Sequence, residues 1–241
     1  STGLVCSEMC IRDSPHTNFH PVFDALTDNG YYVEVLGSSL TCFDASNYGT
    51  LALVDSEGEF HAEEIEKLHN DVSEGGLGLL IVGEWWNKQQ MRRMKFFDDN
   101  TRDIWTPIVG GANVPALNRL LADFGIAFSD EITTGQIRLG RNVVSVNTGT
   151  SIKAFPARSS LFTLDGGLSP VLGLTRVGQG NVLAFGDTSA FDFNTHANLV
   201  PSLFLDFVKY TAGVAYPSWF KAGTVHNEAC LLYTSDAADD F

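Results

Sequence analysis

Apolar positions change period along the chain, and the changes divide it into elements. Residues 16–30 (HTNFHPVFDALTDNG) put Phe19, Val22, Phe23 and Leu26 on one helical face, and Asn29-Gly30 supplies the stop. Residues 31–36 and 50–54 are short, β-rich, apolar runs joined by a polar connection without a strong period. The second run ends at Asp55-Ser56-Glu57. Residues 62–72 return to helical spacing through Ile65, Leu68 and Val72, with Glu63 and Glu64 in the first turn, where the helix dipole favours acids. Gly75-Gly76 ends that helix, and residues 77–82 form a third strand that is apolar throughout, as in a sheet covered on both faces. Strand, helix and strand in this order make a βαβ unit, normally parallel and right-handed.

Residues 84–100 open on Trp85-Trp86 and continue as a basic, then acidic, helical piece. The turn Gly110-Gly111-Ala112-Asn113 leads into a helix over residues 114–124, with Pro115 in its first turn and Leu117, Leu120, Leu121 and Phe124 on one side; Gly125 ends it. The pattern then becomes β-like. Residues 131–155 and 160–164 read as short strands, and residues 171–177 and 181–185 read as a hairpin around Gly178-Gln179-Gly180, closed by Gly186-Asp187-Thr188-Ser189. A last helix spans 199–211, with Leu203, Phe204, Phe207 and Val208 as its apolar side. The expectation is one α/β domain with an antiparallel β extension, and with ligand contacts just past the carboxyl ends of parallel strands.

Composition narrows the functional classes. The 241 residues are 44% hydrophobic and 18% charged, which excludes a disordered chain. A net charge of −14 argues against a nucleic-acid partner. The one basic cluster, Arg92, Arg93 and Lys95, runs directly into Asp98 and Asp99 and reads as a solvated helix face. No apolar run reaches the roughly 20 residues that a membrane helix needs.

The two ends read differently from the rest. MCIRDS (residues 9–14) and CLLYTS (residues 230–235) can be encoded by DNA strings that are reverse complements of each other, and both look like a transposase adapter used for shotgun libraries. Residues 1–14 and 230–241 are therefore expected to be translated adapter, flanking a single natural segment, 15–229, cut from a longer protein. Within that segment the cysteine count falls from four to Cys42 alone, which leaves no support for a disulfide framework or a cysteine metal site. The segment holds 14 basic and 24 acidic residues, about −10 net.

Candidate chemistry is sparse. Gly149-Thr150-Ser151 resembles the serine motif of subtilisin-like proteases, but Pro156 lies one residue too far on and Lys153 replaces a small buried residue, so a strand is expected. Cys42 lacks the glycines of an exposing elbow and reads as structural, or as paired outside the segment. His16 and His20 are spaced i, i+4 but have no third ligand in view, so surface or packing roles are expected. Asp187 and Asp192 lie beyond a strand end; Asp187 is expected to cap local amides in a turn, with a binding pocket as the other reading. Trp85 and Trp86 fit either a domain interface or the core. No catalytic, cofactor-binding or metal residue is assigned, and no cofactor is expected.

A resemblance runs through the segment in register. HTNF (16–19), GYYVEVLG (30–37), TCFDASNYGTL (41–51), VDSEGEF (54–60), EEIEKL (63–68), NTR (100–102), GGANVPALNRLL (110–121), FSD (128–130), FP (155–156), FGDTS (185–189) and KYTAG (209–213) resemble, in the same order, the site-1 protease family of subtilisin-like serine proteases. In that family the matching region follows the catalytic domain. The resemblance thus implies a fragment without the Asp, His and Ser of the triad, and a three-layer α/β fold similar to class I glutamine amidotransferases, with helices on both faces and no obvious nucleophile. It implies a membrane-anchored parent endopeptidase in the lumen of the ER and Golgi, cleaving membrane-bound transcription factor precursors. The partners implied are the upstream catalytic domain and those precursors, with no nucleic acid and no membrane contact by this segment. The competing expectation is a stand-alone amidotransferase-like enzyme or small-molecule binding module, with a site near Cys42, Asp55 and Asp187.

Overall fold

Central strands that are apolar on both sides have to be covered on both sides, and this requirement sets the layers. The computed structural model describes residues 3–7, 18–107, 109–140, 142–157, 159–165, 167, 169–193, 200–221 and 225–227. Its elements are β1 (Gly3–Ser7), α1 (His20–Asp28), β2 (Tyr32–Leu36), β3 (Thr50–Val54), α2 (Ala62–Ser73), β4 (Gly78–Val82), α3 (Lys88–Arg93), β5 (Phe96–Asp98), β6 (Asp103–Trp105), α4 (Val114–Leu121), β7 (Ala127–Leu139), β8 (Asn142–Ala154), β9 (Ser159–Thr163), β10 (Pro170–Val177), β11 (Gly180–Phe185), α5 (Pro201–Thr211) and β12 (Val225–Asn227).

Eight strands form one mixed sheet in the order β12-β9-β10-β11-β4-β3-β1-β2. The half from β11 to β2 is parallel, and β10, β9 and β12 add antiparallel strands to it. Ala52, Leu80 and Leu183 are register partners, as are Leu51, Leu79 and Val182 one residue earlier. The first row packs with Val22 and Leu26 of α1 and with Leu203, Phe204 and Phe207 of α5. The second packs with Leu68 and Val72 of α2 and with Leu117, Leu120 and Leu121 of α4. The result is the α/β domain with an antiparallel extension that the residue pattern predicts, in the three layers that the resemblance implies.

Local signals explain the element ends. Glu64, three residues into α2, accepts the His61 N–H at 2.9 Å; its other oxygen accepts from the Ser39 hydroxyl at 2.6 Å and the Leu40 N–H at 2.9 Å. One acid thus caps α2 and ties the 37–49 connection to it. The Asn113 side chain accepts the Ala116 N–H at the start of α4, and Gly125 adopts the left-handed conformation (φ 69°) that ends the helical stretch.

Three expectations change. Residues 31–36 are not a buried strand, because β2 is the sheet edge, with Tyr32 and Val35 exposed. The helix expected over 84–100 stops at Arg93, and Phe96–Asp98 pairs with Asp103–Trp105 as a separate antiparallel hairpin. Aromatic residues at 96, 97 and 105 favour a pleated pairing over further helical turns. The short strands expected over 131–155 are two strands of 13 residues each, β7 and β8, paired with several register shifts. These shifts absorb the polar breaks that read as turns in the sequence. Gly3–Ser7, within the stretch assigned to adapter, lies between β2 and β3 and is parallel to both. Among the described residues β1 is the only partner of β2.

Phe207 is fully buried, and its ring packs edge-on to Phe185, Phe191 and Trp219, with centroids at 5.6, 5.9 and 6.2 Å. Phe207→Ala is expected to cost about 3–5 kcal/mol. Thermal unfolding should record this as a drop in Tm of roughly 6–20 °C.

Candidate functional site

The parallel strands β3, β4 and β11 end side by side, and each is followed within two residues by an acid: Asp55, Glu84 and Asp187. All three are buried, Asp187 completely. This is the end of the sheet at which α/β folds hold ligands. Asp55 turns the corner after β3 with φ 50°, a left-handed conformation that costs a non-glycine residue and clusters at functional sites. Strand-to-helix elbows hold catalytic nucleophiles in strained turns of this kind; here the side chain is a carboxyl group.

Polar contacts fix the other two acids. The Asn147 N–H donates to Asp187 Oδ2 at 2.8 Å, and the N–H and hydroxyl of Ser189 donate to Oδ1 at 3.1 and 2.8 Å. Asp187 therefore caps its own turn, as the residue pattern suggests. The Thr188 N–H donates to Glu84 Oε2 at 3.1 Å, and the Thr188 hydroxyl donates to the same oxygen. The Trp85 N–H lies 3.3 Å from Glu84 Oε1. Burial, then the nearby Asp187 and Asp55 carboxyls, push Glu84 up to about 8, and burial pushes Asp187 up to about 6. Burial thus favours the neutral form of both acids, and the neighbouring carboxyls add to this at Glu84.

The chain itself covers these strand ends from two sides. The loop before α4 lies on Glu84: the Gly111 N–H donates to the Trp85 carbonyl at 2.8 Å, and a Cβ on Gly111 would overlap Glu84 Cγ. The β7–β8 ribbon closes the other side. The Thr150 N–H donates to the Gly186 carbonyl at 2.7 Å, a Cβ on Gly186 would overlap the Thr150 carbonyl oxygen, and the Phe128 ring lies against Gly83. The Ser189 hydroxyl also reaches the Asn147 carbonyl at 3.2 Å. Acids and hydroxyls meet here in a site filled by backbone. Its hydrogen bonds can hold a proton and join loops.

The other candidates lie elsewhere. Cys42 is exposed in a single 3-10 turn between β2 and β3. Ser151 is buried within β8, in the strand its spacing predicts. His20 packs on Phe193 with centroids 5.0 Å apart, whereas His16 lies outside the described residues. Asp192 follows the acid turn and is half-buried, its N–H donating to the Thr188 carbonyl. Trp86 packs against the α2–α4 core, and Trp85 supports the Gly110-Gly111 loop. Among the described residues no group of three or more His, Cys, Asp or Glu side chains is placed to hold a metal ion, and no helix is long and apolar enough to cross a membrane. Glu84 is the residue that sequence reasoning missed. Its signal was an acid two residues past an all-apolar strand.

A mixed sheet covered by helices on both faces defines a three-layer α/β domain. The family model described as MBTPS1, fourth GATase-like domain, matches residues 10–166, and the chain belongs to that family. It is 48% identical over 199 residues to subtilisin-like protease SBT6.1 of Arabidopsis thaliana, covering 75% of this chain and 19% of that protein. It is 41% identical over 231 residues to the human membrane-bound transcription factor site-1 protease, covering 88% of this chain and 22% of that protein. The chain thus spans about a fifth of the length of these relatives. Among solved structures, the mmIFT52 N-terminal domain superposes with a TM-score of 0.63 at 12% identity, covering 92% of this chain and 99% of that one. The cytoplasmic protein STM3548 from Salmonella typhimurium gives 0.56 at 9% identity, covering 87% and 98%. These two likenesses concern the fold alone.

The raised acids make stability depend on pH in a definite direction. A carboxyl group whose folded pKa lies above its unfolded value stabilises the fold fully below the unfolded value and loses that contribution as pH rises through the folded one. For Glu84 the loss runs from about 4.5 to about 8. Glu84→Gln keeps the acceptor oxygen for Thr188 and removes the charge. The Tm of the variant minus that of the parent chain should grow between pH 5 and pH 8.5, by a few degrees or more, since a tenfold change in a protonation equilibrium corresponds to about 1.4 kcal/mol. A difference that stays constant with pH would show that Glu84 does not titrate in this window.

Proposed function

We propose that this chain is a non-hydrolysing accessory domain of a site-1-protease-like subtilase. The full-length protein is then a membrane-anchored serine endopeptidase, cleaving membrane-bound transcription factor precursors in the ER and Golgi lumen. The accessory domain packs on the catalytic domain of the same polypeptide, stabilises it and shapes access to it. The natural segment is 15–229, flanked by adapter translation.

One observation carries the reading of the domain: the place where this fold holds a ligand is filled by its own backbone, with Gly111 on Glu84 and Gly186 against Thr150. An amidotransferase-like enzyme needs an exposed nucleophile with a base in reach. At this corner the chain instead offers a strained aspartate and a buried carboxyl group, Glu84, whose neutral form burial favours. The family membership and the length of the relatives support a larger parent protein.

Two experiments test this. The recombinant chain should hydrolyse neither peptides nor glutamine, and its background should not change with Ser151→Ala or Cys42→Ala. Turnover that disappears with either substitution would overturn the proposal in favour of an independent enzyme. Deleting the domain from the full-length protease should lower the cellular yield of active, membrane-anchored enzyme by about tenfold or more, as expected for the loss of an interdomain contact worth at least about 1.4 kcal/mol; unchanged yield and activity would refute the accessory role.

A further inference from the structure

The β5–β6 hairpin stands outside both cores with its apolar side chains bare. Met94, Phe96, Phe97, Ile104 and Trp105 are 53, 61, 58, 59 and 52% exposed. Phe96 pairs with Trp105 and Phe97 with Ile104, so adjacent pairs point to opposite faces of the ribbon. Neither face is covered by the described residues.

The hairpin is also stiffly built. Asp98 accepts the Asn100 N–H at 3.1 Å and the Thr101 hydroxyl at 2.8 Å, and its carbonyl accepts the Arg102 N–H at 2.8 Å. The Trp105 indole N–H donates to the Thr101 hydroxyl at 3.0 Å, which fixes the ring. Exposed aromatic side chains held in place before binding lose little entropy when they dock, and Trp and other aromatics are frequent anchors of interfaces.

Charge separates the occupants. Lys88, Arg92, Arg93, Lys95 and Arg102 are five of the 15 basic residues of a chain with net charge −14. Arg92, Arg93 and Lys95 are exposed at the base of the hairpin and form no ion pair with a described residue. A receiving surface therefore has apolar walls and a rim of carboxylates. A lipid surface fits poorly, because a hairpin entering it tip first would carry Asp98, Asp99 and Asp103 in ahead of the aromatics. A second copy also fits poorly. The other exposed large apolar residues are Tyr32, Val35, Ile132, Phe193, Val214 and Tyr216, spread over separate elements, and ribbon-to-ribbon pairing would bring two basic clusters together.

Building on the accessory-domain reading, we infer that the β5–β6 hairpin is the docking element of this domain, its two apolar faces gripped from the sides by an acid-rimmed apolar cleft on another domain of the same polypeptide, with the tip acids Asp98, Asp99 and Asp103 left in water. The Phe96–Trp105 pair meets one wall, the Phe97–Ile104 pair meets the other, and Arg92, Arg93 and Lys95 pair with the rim.

The test uses the full-length protease with the photo-crosslinking residue p-benzoylphenylalanine in place of Phe97. Irradiation should yield one dominant cross-link to a peptide elsewhere in the same polypeptide, at monomer mobility, and Ile104→Asp added to that protein should reduce its yield about tenfold or more. A cross-link between copies, labelling of co-purifying lipid, or no cross-link would overturn the inference. So would sedimentation of the recombinant chain with phosphatidylserine vesicles that is lost with Phe97→Asp. As a folding control, Phe97→Asp and Ile104→Asp should leave the Tm of the recombinant chain unchanged, because both side chains are exposed. The two proposals fail separately. If deleting the domain lowers the yield of active enzyme while the hairpin variants change neither cross-linking nor that yield, the docking site lies elsewhere and the accessory role stands; if deletion has no effect, the accessory role itself fails.

Discussion

The closed end of the sheet depends on one buried interaction, the bond from Thr188 to the carboxyl group of Glu84. It joins the residues that follow β4 to those that follow β11. It also sets an acid beside Asp187, in a place where burial disfavours two negative charges. The neutral form of Glu84 is favoured there, and the loop before α4 and the β7–β8 ribbon lie directly on the strand ends. Glycine is required at two of these contacts, Gly111 and Gly186, because any Cβ there would overlap Glu84 or Thr150. A site that opened to bind a ligand would have to give up these contacts together.

This arrangement puts the strand-end acids of an α/β architecture to work in joining its own loops. The strained Asp55 occupies a corner of the sort that elsewhere exposes a nucleophile. The acids around it serve loop closure, with Asp187 holding Asn147 and Ser189 as Glu84 holds Thr188. Two cores, one on each side of the sheet, give the domain a rigid body. Among the described residues the largest group of exposed apolar side chains lies on and beside the β5–β6 hairpin, outside both cores. A rigid body with a preformed projecting hairpin suits a part that holds another domain in place.

Much of the architecture was legible in the residues. The all-apolar run ending at Val82, the helical spacing of Ile65, Leu68 and Val72, and the glycine stops at Gly76 and Gly125 all mark elements that the structure contains. The local signals there agree with the tertiary environment. Three features were not legible. Whether residues 31–36 face solvent depends on strand order, which is a nonlocal property. The length of the β7–β8 ribbon was hidden because its polar positions, such as Thr133, Thr134 and Asn147, lie at register shifts or at the sheet end. The hairpin after Arg93 was masked by a charge pattern typical of helices, although Phe96, Phe97 and Trp105 carried the opposing β signal. At the site, Asp55 and Asp187 stood out as strand-end acids. Glu84 did not, since its role arises only when β4 and β11 become neighbours.

A closed strand end predicts a Glu84 that keeps its proton at neutral pH. Side-chain carboxyl carbon NMR on the chain labelled with 13C-glutamate, with Glu84 assigned by its loss in Glu84→Gln, measures this directly. A closed site predicts a resonance that stays at the protonated position through pH 7 and moves with a midpoint near 8. A midpoint near 4.5, the ordinary glutamate value, would show an ionised Glu84 in contact with water and would contradict the closed site.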